Sequence, residues 1–514
     1  MKSLTKPNVI LFYPKTGMDF GSTVAPPHSL LTVAAPLDQA GYRVTILDQR
    51  TQRITEETLQ QLVSDDLLCF GVSAMTGTQI RHALRLTRLA RRLTDGRVPI
   101  VWGGPHPTIT PEQTLANENV DIVVVGEGDE TFFELIQALE NKGDLSTIRG
   151  LFFKNGHKIV RTEPRPLVNL EDLLPVPWHL VDVEKYIHRD MYVKSRSRVL
   201  DLGQTSRGCP FRCGFCSSAS IRGRRWRPMS VEKSLEMIVR DVRRFKLDGF
   251  WLRDDEFYID RKRAYEICRG MVREKLDVSF YTSGTRVDVF MKATDEELIM
   301  LRKAGAHTLK FGAESGSQRI LDLMRKGIKV EQTLAANRRC AQHGFVPAFA
   351  LVVGYPTETF DDINKTIDLA YRLKKENPRA QLETMATFTA LPATPSFALA
   401  LEHGLRPPET LEGWSDWIFD DYDLEGTRIP WFNRRQRVYI GNVSYMSILA
   451  NALGNAVGSI ASPPLRFLAR QLARPVSSYF RFRLKNKLYC HVPELKLVRY
   501  LRHKFFYQSD YTVS

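Results

Sequence analysis

Thr205-Ser-Arg-Gly-Cys-Pro-Phe-Arg-Cys-Gly-Phe-Cys216 sets three thiols, Cys209, Cys213 and Cys216, in the spacing C-x-x-x-C-x-x-C. Three thiolates this close ligate three irons of a 4Fe-4S cluster and leave the fourth iron without a protein ligand, open to a small molecule. Zinc asks for four ligands, often as two cysteine pairs, and the chain has no second C-x-x-C. A β-rich run, Val199-Leu-Asp-Leu-Gly-Gln-Thr205, leads into the cysteine loop.

The stretch resembles the signature of the radical S-adenosylmethionine (SAM) enzymes. The resemblance implies that the open iron chelates the amino and carboxylate groups of SAM. One electron from the cluster then cleaves SAM to a 5′-deoxyadenosyl radical, and Phe215 lies against the adenine. Residues 199–390 read as six strand-helix units, with strands expected at 199–204, 250–252, 278–283, 308–312, 347–353 and 382–388. Ser230 is a good N-cap for a helix burying Leu235, Ile238, Val242 and Phe245. Thr294-Asp-Glu-Glu297 is a capping box for another that stops at Gly305. Six units fall short of a closed eight-fold barrel and match the open six-unit (β/α) barrel that the resemblance implies. Functional groups belong at the strand carboxyl ends. The sequence places there Asp254-Asp255-Glu256, Arg286, Gly312-Ala-Glu-Ser-Gly-Ser317 and Gly354-Tyr-Pro-Thr-Glu358. The resemblance assigns SAM contacts to Asp255, Arg286, Glu314, Ser315, Gly316, Ser317 and Gly354. At least one of Asp254 and Asp255 is expected to pair with a barrel arginine instead.

Upstream, residues 8–141 alternate strands, expected at 8–13, 42–47, 68–73, 98–102 and 121–125, with helical patterns such as 79–94. Short apolar or β-branched runs are the pattern of buried parallel strands, and five of them point to a doubly wound α/β sheet. Its carboxyl ends carry Ser73-Ala-Met-Thr-Gly77, Gly103-Gly-Pro-His106 and Gly126-Glu-Gly-Asp129. With the Pro26-Pro27 helix start, these turns resemble the cobalamin-binding domain that precedes the radical SAM core in one large subfamily. The resemblance implies corrinoid contacts at Ser73, Thr76, Gly77, Gly103, Gly104, His106, Gly126, Glu127 and Gly128. No Asp-x-His-x-x-Gly motif is present, so His106 reads as a loop residue near the corrin and cobalt as lacking a protein imidazole. Asp129 stands where the family more often has Glu and keeps the carboxylate. The bland alternative is a Rossmann-like domain that only packs against the barrel.

The chain of 514 residues therefore divides into a cobalamin-binding domain (1–141), a connector (142–198), a radical SAM core (199–400) and a basic, mostly helical C-terminal region (401–514). Pro-rich runs mark the connector, where Trp178 and Tyr186 are expected to seal the join between domains. Cys69, Cys268, Cys340 and Cys490 are expected as buried thiols. A thiolate-bound cluster wants a reducing compartment, and the first residues lack a signal-peptide core, so the expected location is the cytoplasm, peripheral at the membrane. From Arg434 onward, 14 lysines and arginines face only Glu494 and Asp510, a net +12 of the chain's +15. A charge-free run from Val438 to Leu465 reads as a greasy lid or interfacial segment, and Arg466, Arg470 and Arg474 share one helix face. Aromatics are interleaved with the charges, from Tyr479 through Phe505, Phe506 and Tyr507. This suits an anionic membrane surface or a solvated cap; no RNA-binding module is evident, so nucleic acid is set aside. The resemblance implies three cofactors, a 4Fe-4S cluster, SAM and cobalamin, and an electron donor such as flavodoxin or ferredoxin. It implies methylation of an unactivated carbon of a small-molecule or lipid-like substrate. Ring or carbon–carbon bond formation, as in the anaerobic Mg-protoporphyrin monomethyl ester cyclase, is the second reading, and a non-catalytic cobalamin-binding or sensor protein the third.

Overall fold

Five short apolar runs pair in parallel: β1 (Asn8–Tyr13), β2 (Arg43–Asp48), β3 (Leu67–Ser73), β4 (Ile100–Gly103) and β5 (Ile122–Val124). The computed structural model describes residues 6–495 apart from 18, 20–23, 157, 190–192, 194–196, 418–427, 453–456 and 458–461. The strand order β2-β1-β3-β4-β5 is that of a doubly wound sheet whose direction switches between β1 and β3. Alternate residues of β1 serve opposite layers. Val9 and Leu11 join a core with Leu30, Leu31 and Phe132, whereas Ile10 and Phe12 join one with Ile80, Leu84 and Trp102. Burial on both faces is why these strands show no polar alternation.

The connector holds more order than its prolines announce. β6 (Leu151–Asn155) and β7 (Lys158–Arg161) form an antiparallel hairpin that extends the sheet beyond β5. The prolines follow the hairpin, at 164 and 166, and so end it without excluding it. Trp178 and Tyr186 are buried at the join. The Trp178 ring meets His28 and Phe245 edge-on at 5.8 and 5.6 Å, and the Tyr186 hydroxyl donates to Asp48 at 2.9 Å.

The second sheet starts at β8 (Val199–Asp201). A two-residue ladder, β9 (Ser206–Arg207) with β10 (Arg227–Pro228), brackets the cysteine loop. Then follow β11 (Gly249–Leu252), β12 (Ser279–Thr282), β13 (Thr308–Glu314), β14 (Val346–Val353) and β15 (Gln381–Thr387). Single bridges at Phe280–Ala306 and Thr285–Phe311 join β8-β11-β12 to β13-β14-β15, giving six parallel strands in an open barrel. Cross-strand rings Phe250–Phe280 and Phe311–Phe349 stack at 5.2 and 5.5 Å. The Ser230 cap and the Thr294–Glu297 capping box form as the sequence requires. Ile238 and Val242 are buried, while Leu235 and Phe245 are half-buried.

The charge-free run is corrected here. Its first part is neither lid nor interfacial segment: the helix Arg434–Ser447 and the π-helical turn Ile448–Ala452 pack on the edge strand β15, burying Ile440, Val443, Met446 and Ala450. The Ser447 hydroxyl accepts from the Met385 N–H at 2.8 Å, and the Ser444 hydroxyl donates to the Met385 carbonyl at 2.7 Å. Two side chains thus stand in for a missing neighbouring strand. Cys69, Cys268 and Cys340 are buried, but Cys490 is exposed; its neighbour Tyr489 takes the buried place, stacked on Phe360 at 6.0 Å. Tyr500, Phe505, Phe506 and Tyr507 lie outside the described residues.

Candidate functional site

The cysteine loop leaves β9 through Gly208, whose φ of +85° and tight contact admit no side chain; a Cβ there would stand 2.1 Å from the Arg225 carbonyl oxygen. The Gly208 N–H donates to Asp255 at 2.8 Å, and Arg222 donates to the same carboxylate oxygen at 2.9 Å. Asp254 instead accepts from the hydroxyls of Thr205 and Ser206. Cys209, Cys213 and Cys216 are all partly buried and free of disulfides. Burial pushes the Cys209 thiol up to about 11 and raises Cys216 as well. Arg286 donates to the Cys213 sulfur at 3.3 Å while its guanidinium lies 3.7 Å above the Phe211 ring. Among the described residues, no three His, Cys, Asp or Glu side chains converge as they would on a single ion.

Around the loop, Glu314 ends β13 with φ at +59° and accepts from Lys326 at 2.6 Å. The Lys326 ammonium sits 5.5 Å over the Phe215 ring. Glu256 accepts from the N–H groups of Tyr258 and Arg286, and burial pushes its carboxyl up to about 8. The Ser315 hydroxyl meets Thr366 at 3.1 Å, the Gly316 N–H donates to Thr366 at 3.0 Å, and Ser317 donates to Asp362 at 2.6 Å. These three residues clamp their loop to the helix Phe360–Glu376. Gly354, at φ +86°, donates to Glu358 at 2.5 Å; burial pushes Glu358 up to about 8, and its other oxygen has no hydrogen-bond partner among the described residues.

A cavity of about 1390 Å3 opens at the carboxyl ends of β1, β3, β4 and β5 and is roofed by the barrel. Ser73, Gly103, Gly104, Gly126, Glu127 and Gly128 line it. Gly104 has φ +98°, and a Cβ there would lie 3.0 Å from the Ala74 backbone. Thr76, Gly77 and His106 do not line it. His106 is buried; its two ring nitrogens meet the hydroxyls of Thr76 at 3.0 Å and Thr110 at 3.2 Å, and burial pushes it down to about 4, a neutral ring. From the barrel side come Arg207 and Arg222, which flank the cysteine loop.

Arg207 ties the two domains together. Its guanidinium donates to Asp129 through two bonds, at 2.9 and 3.1 Å, and lies 3.7 Å from Glu127. Arg227 donates to Glu127 at 2.9 and 2.5 Å. Burial alone would raise the Asp129 carboxyl, but the facing Arg207 outweighs it and holds Asp129 below its ordinary value. Thus the Gly126-Glu-Gly-Asp129 turn is bolted to a residue two positions before Cys209.

Residues 204–370 match the radical SAM superfamily, and residues 22–136 match the B12 binding domain. An uncharacterised methyltransferase of Pyrococcus horikoshii is 32% identical over 354 residues, covering 68% of this chain and 74% of that protein. The chain belongs to the cobalamin-binding radical SAM enzymes. The anaerobic magnesium-protoporphyrin IX monomethyl ester cyclase of Synechocystis is 31% identical over 340 residues, 65% of this chain and 66% of that one. Among solved structures, the cobalamin-dependent radical SAM enzyme OxsB with aqua-cobalamin and SAM bound superposes with a TM-score of 0.71 at 19% identity, over 97% of this chain and 75% of that chain.

The cofactors of this radical SAM enzyme are a 4Fe-4S cluster, SAM and cobalamin, and its side chains fit them. Three soft thiols on one loop, free of disulfides and with an arginine N–H on one sulfur, suit a cluster that takes one thiolate per iron. A cavity larger than the usual range of about 300–1,000 Å3 for small ligands, with glycines on its floor, suits a corrinoid. Sequence reasoning did not find Lys326, Arg207 or Arg227. Arg207 had one signal, the one charged residue between Asp201 and Cys209, but nothing local named its partner.

Proposed function

We propose that this enzyme methylates an unactivated carbon of a small or lipid-like substrate. The observation that supports it most is the cavity lined by both domains, with the glycine turns on one side and Arg207 and Arg222, which flank the cysteine loop, on the other. The methyltransferase name of the Pyrococcus relative agrees with it. When bound, the three cofactors supply an electron, a hydrogen-abstracting radical and a transferable methyl group. The chain's part is to hold and orient. In this reading Cys209, Cys213 and Cys216 hold the cluster, and the Arg286 N–H steadies the thiolate of Cys213. Asp255, Glu314 and the Gly354 turn face SAM, with Lys326 setting the Glu314 carboxylate and covering Phe215. Ser315, Gly316 and Ser317 keep that loop's shape. Ser73, Gly103, Gly104, Gly126, Glu127 and Gly128 receive the corrinoid, and Thr76, Gly77 and His106 buttress them from behind. Its partners are a one-electron donor such as flavodoxin or ferredoxin and an anionic membrane surface.

Ring formation is the second reading, supported by the Synechocystis cyclase relative. Mass spectrometry of metabolites incubated anaerobically with reconstituted enzyme separates the two. Methylation adds one CH2 to a metabolite, and the triple variant Cys209→Ala, Cys213→Ala, Cys216→Ala adds none. A changed metabolite with no added CH2 refutes methylation in favour of bond formation. A product unchanged by the triple variant refutes radical chemistry altogether.

A further inference from the structure

Arg253 follows β11 directly and lines the cavity from the barrel side. Its Nε donates to Asp201, whose fully buried carboxylate also accepts from the Gly203 N–H at 2.8 Å. His28 Nε2 stands 3.3 Å from the same carboxylate. With three nitrogens around it, Asp201 needs nothing more from the arginine. The Arg253 guanidinium lies 4.1 Å over the Trp251 ring, and Tyr281 stacks on Trp251 at 5.3 Å. Ion pair and ring together fix the plane of the guanidinium. Its two terminal nitrogens have no hydrogen-bond partner among the described residues, and the side chain is 41% exposed on the cavity wall.

Other arginines of the cavity are spent differently. Arg207 gives both terminal nitrogens to Asp129, and Arg50 and Arg222 give one each to Asp48 and Asp255. Arg253 gives neither. A guanidinium held through Nε by a buried carboxylate presents a flat edge of two nitrogens, the shape that takes a carboxylate or phosphate through two parallel bonds. Three molecules in the functional reading carry or can carry such a group: SAM, cobalamin and the substrate. Asp255, Glu314 and the Gly354 turn, which face SAM in that reading, do not line the cavity, and the open iron takes SAM's carboxylate. The glycine turns that receive the corrinoid belong to the other domain, across the cavity from β11. We propose that Arg253 binds a carboxylate or phosphate of the substrate, so that the carbon to be methylated belongs to an anionic molecule. This names the substrate class of the methylation reading and rests on that reading only for the reaction itself.

Enzyme reconstituted with cluster, cobalamin and SAM, but given no reductant, is mixed with metabolites of the native cell. These are split beforehand at pH 7 into the fraction an anion exchanger binds and the fraction it passes. Ligands retained after ultrafiltration are read by mass spectrometry. The wild type should retain a metabolite of the bound fraction. Arg253→Gln should retain at least about a hundredfold less, the loss expected when two charge-assisted hydrogen bonds are removed. Because that variant orphans the Asp201 charge, Arg253→Gln with Asp201→Asn is measured beside it and should show the same loss. Arg253→Lys keeps the charge without the two-nitrogen edge and should fall between. Capture from the passed fraction alone, no capture, or equal capture by the double variant overturns the proposal. Weaker retention of SAM by the variants assigns the arginine to SAM's carboxylate and also overturns it. So does weaker retention of cobalamin but not of cobinamide, which lacks the phosphate. Capture needs no turnover, so failure of methylation leaves this result standing, and methylation of a neutral metabolite removes this proposal alone.

Discussion

Replacing Arg207 by Met removes the guanidinium that faces Asp129 and leaves a carboxylate buried at the join between the two domains. Both side chains of the pair are under a tenth exposed, and two charge-assisted bonds at 2.9 and 3.1 Å connect them. At about 4 Å and an effective dielectric near 20, one such pair is worth roughly 4 kcal/mol of Coulomb energy. Breaking a buried pair by deleting one partner costs about 3–5 kcal/mol. Glu127 keeps Arg227 and contributes little to the loss. Anaerobic urea unfolding of the cofactor-free protein should therefore show a loss of that size for Arg207→Met. Adding Asp129→Asn should recover part of it, since the orphaned charge is gone. The sign of the pH dependence is fixed as well. In the wild type Asp129 is held below its ordinary value, so the pair's stability is present above pH ~4 and lost as pH falls further. In the variant only a backbone hydrogen bond and the charge of Arg222 still oppose burial, so the carboxyl is expected to rise and stability to be lost as pH rises. The gap between the two proteins must widen upward from pH ~4. A loss below about 1 kcal/mol, or single-variant effects that add to within about 0.5 kcal/mol, would refute the bolt.

Glu358 has a buried carboxyl pushed up to about 8, so its contribution is fully present below pH ~4.5 and lost as pH rises toward 8. Glu358→Gln keeps an acceptor for the Gly354 and Tyr355 N–H groups and should flatten that decline, by at most about 1.4 kcal/mol per pH unit, in thermal melts run from pH 5 to 8. With both His106 nitrogens occupied by threonine hydroxyls and His28, which lines the cavity, held through Nε2 on the Asp201 carbonyl, the electron paramagnetic resonance spectrum of the cob(II)alamin form should show no protein nitrogen on cobalt. His106→Ala should leave that spectrum unchanged while lowering stability by about 1–3 kcal/mol through the lost packing on Trp414 and the two unpaired hydroxyls.

All eleven parallel strands expected from the sequence form, because a strand buried on both faces must be a short apolar run and little else in the chain reads that way. β6 and β7 escaped notice because Lys154, Lys158 and Arg161 interrupt a hairpin that lies at a sheet edge. The cysteine spacing stood in the sequence, and the structure carries the three partly buried thiols on one loop. The ion pairs were not: Arg207 and Asp129 stand 78 residues apart, and no local pattern joins them. His106 shows the opposite failing. Its Gly-Pro-His turn sits where a ligand contact belongs, but a side chain's direction is set by packing, and here Thr76, Thr110 and Trp414 turn the ring away from the cavity. The charge-free run after Val438 read as greasy because it is apolar. That it covers β15 depends on which barrel edge lies open, which only the strand order of the folded barrel reveals.

That edge also orders events during synthesis. β15 ends at Thr387, and the two serines that satisfy Met385 arrive only with the helix Arg434–Ser447. A nascent chain emerging at about 5–20 residues per second carries an unsealed strand for several seconds, long enough for it to pair with a neighbour's. A chain stopped at residue 400 would carry that edge permanently. The C-terminal region is thus the last stave of the barrel, and fragments made to isolate the radical SAM core should extend through that helix.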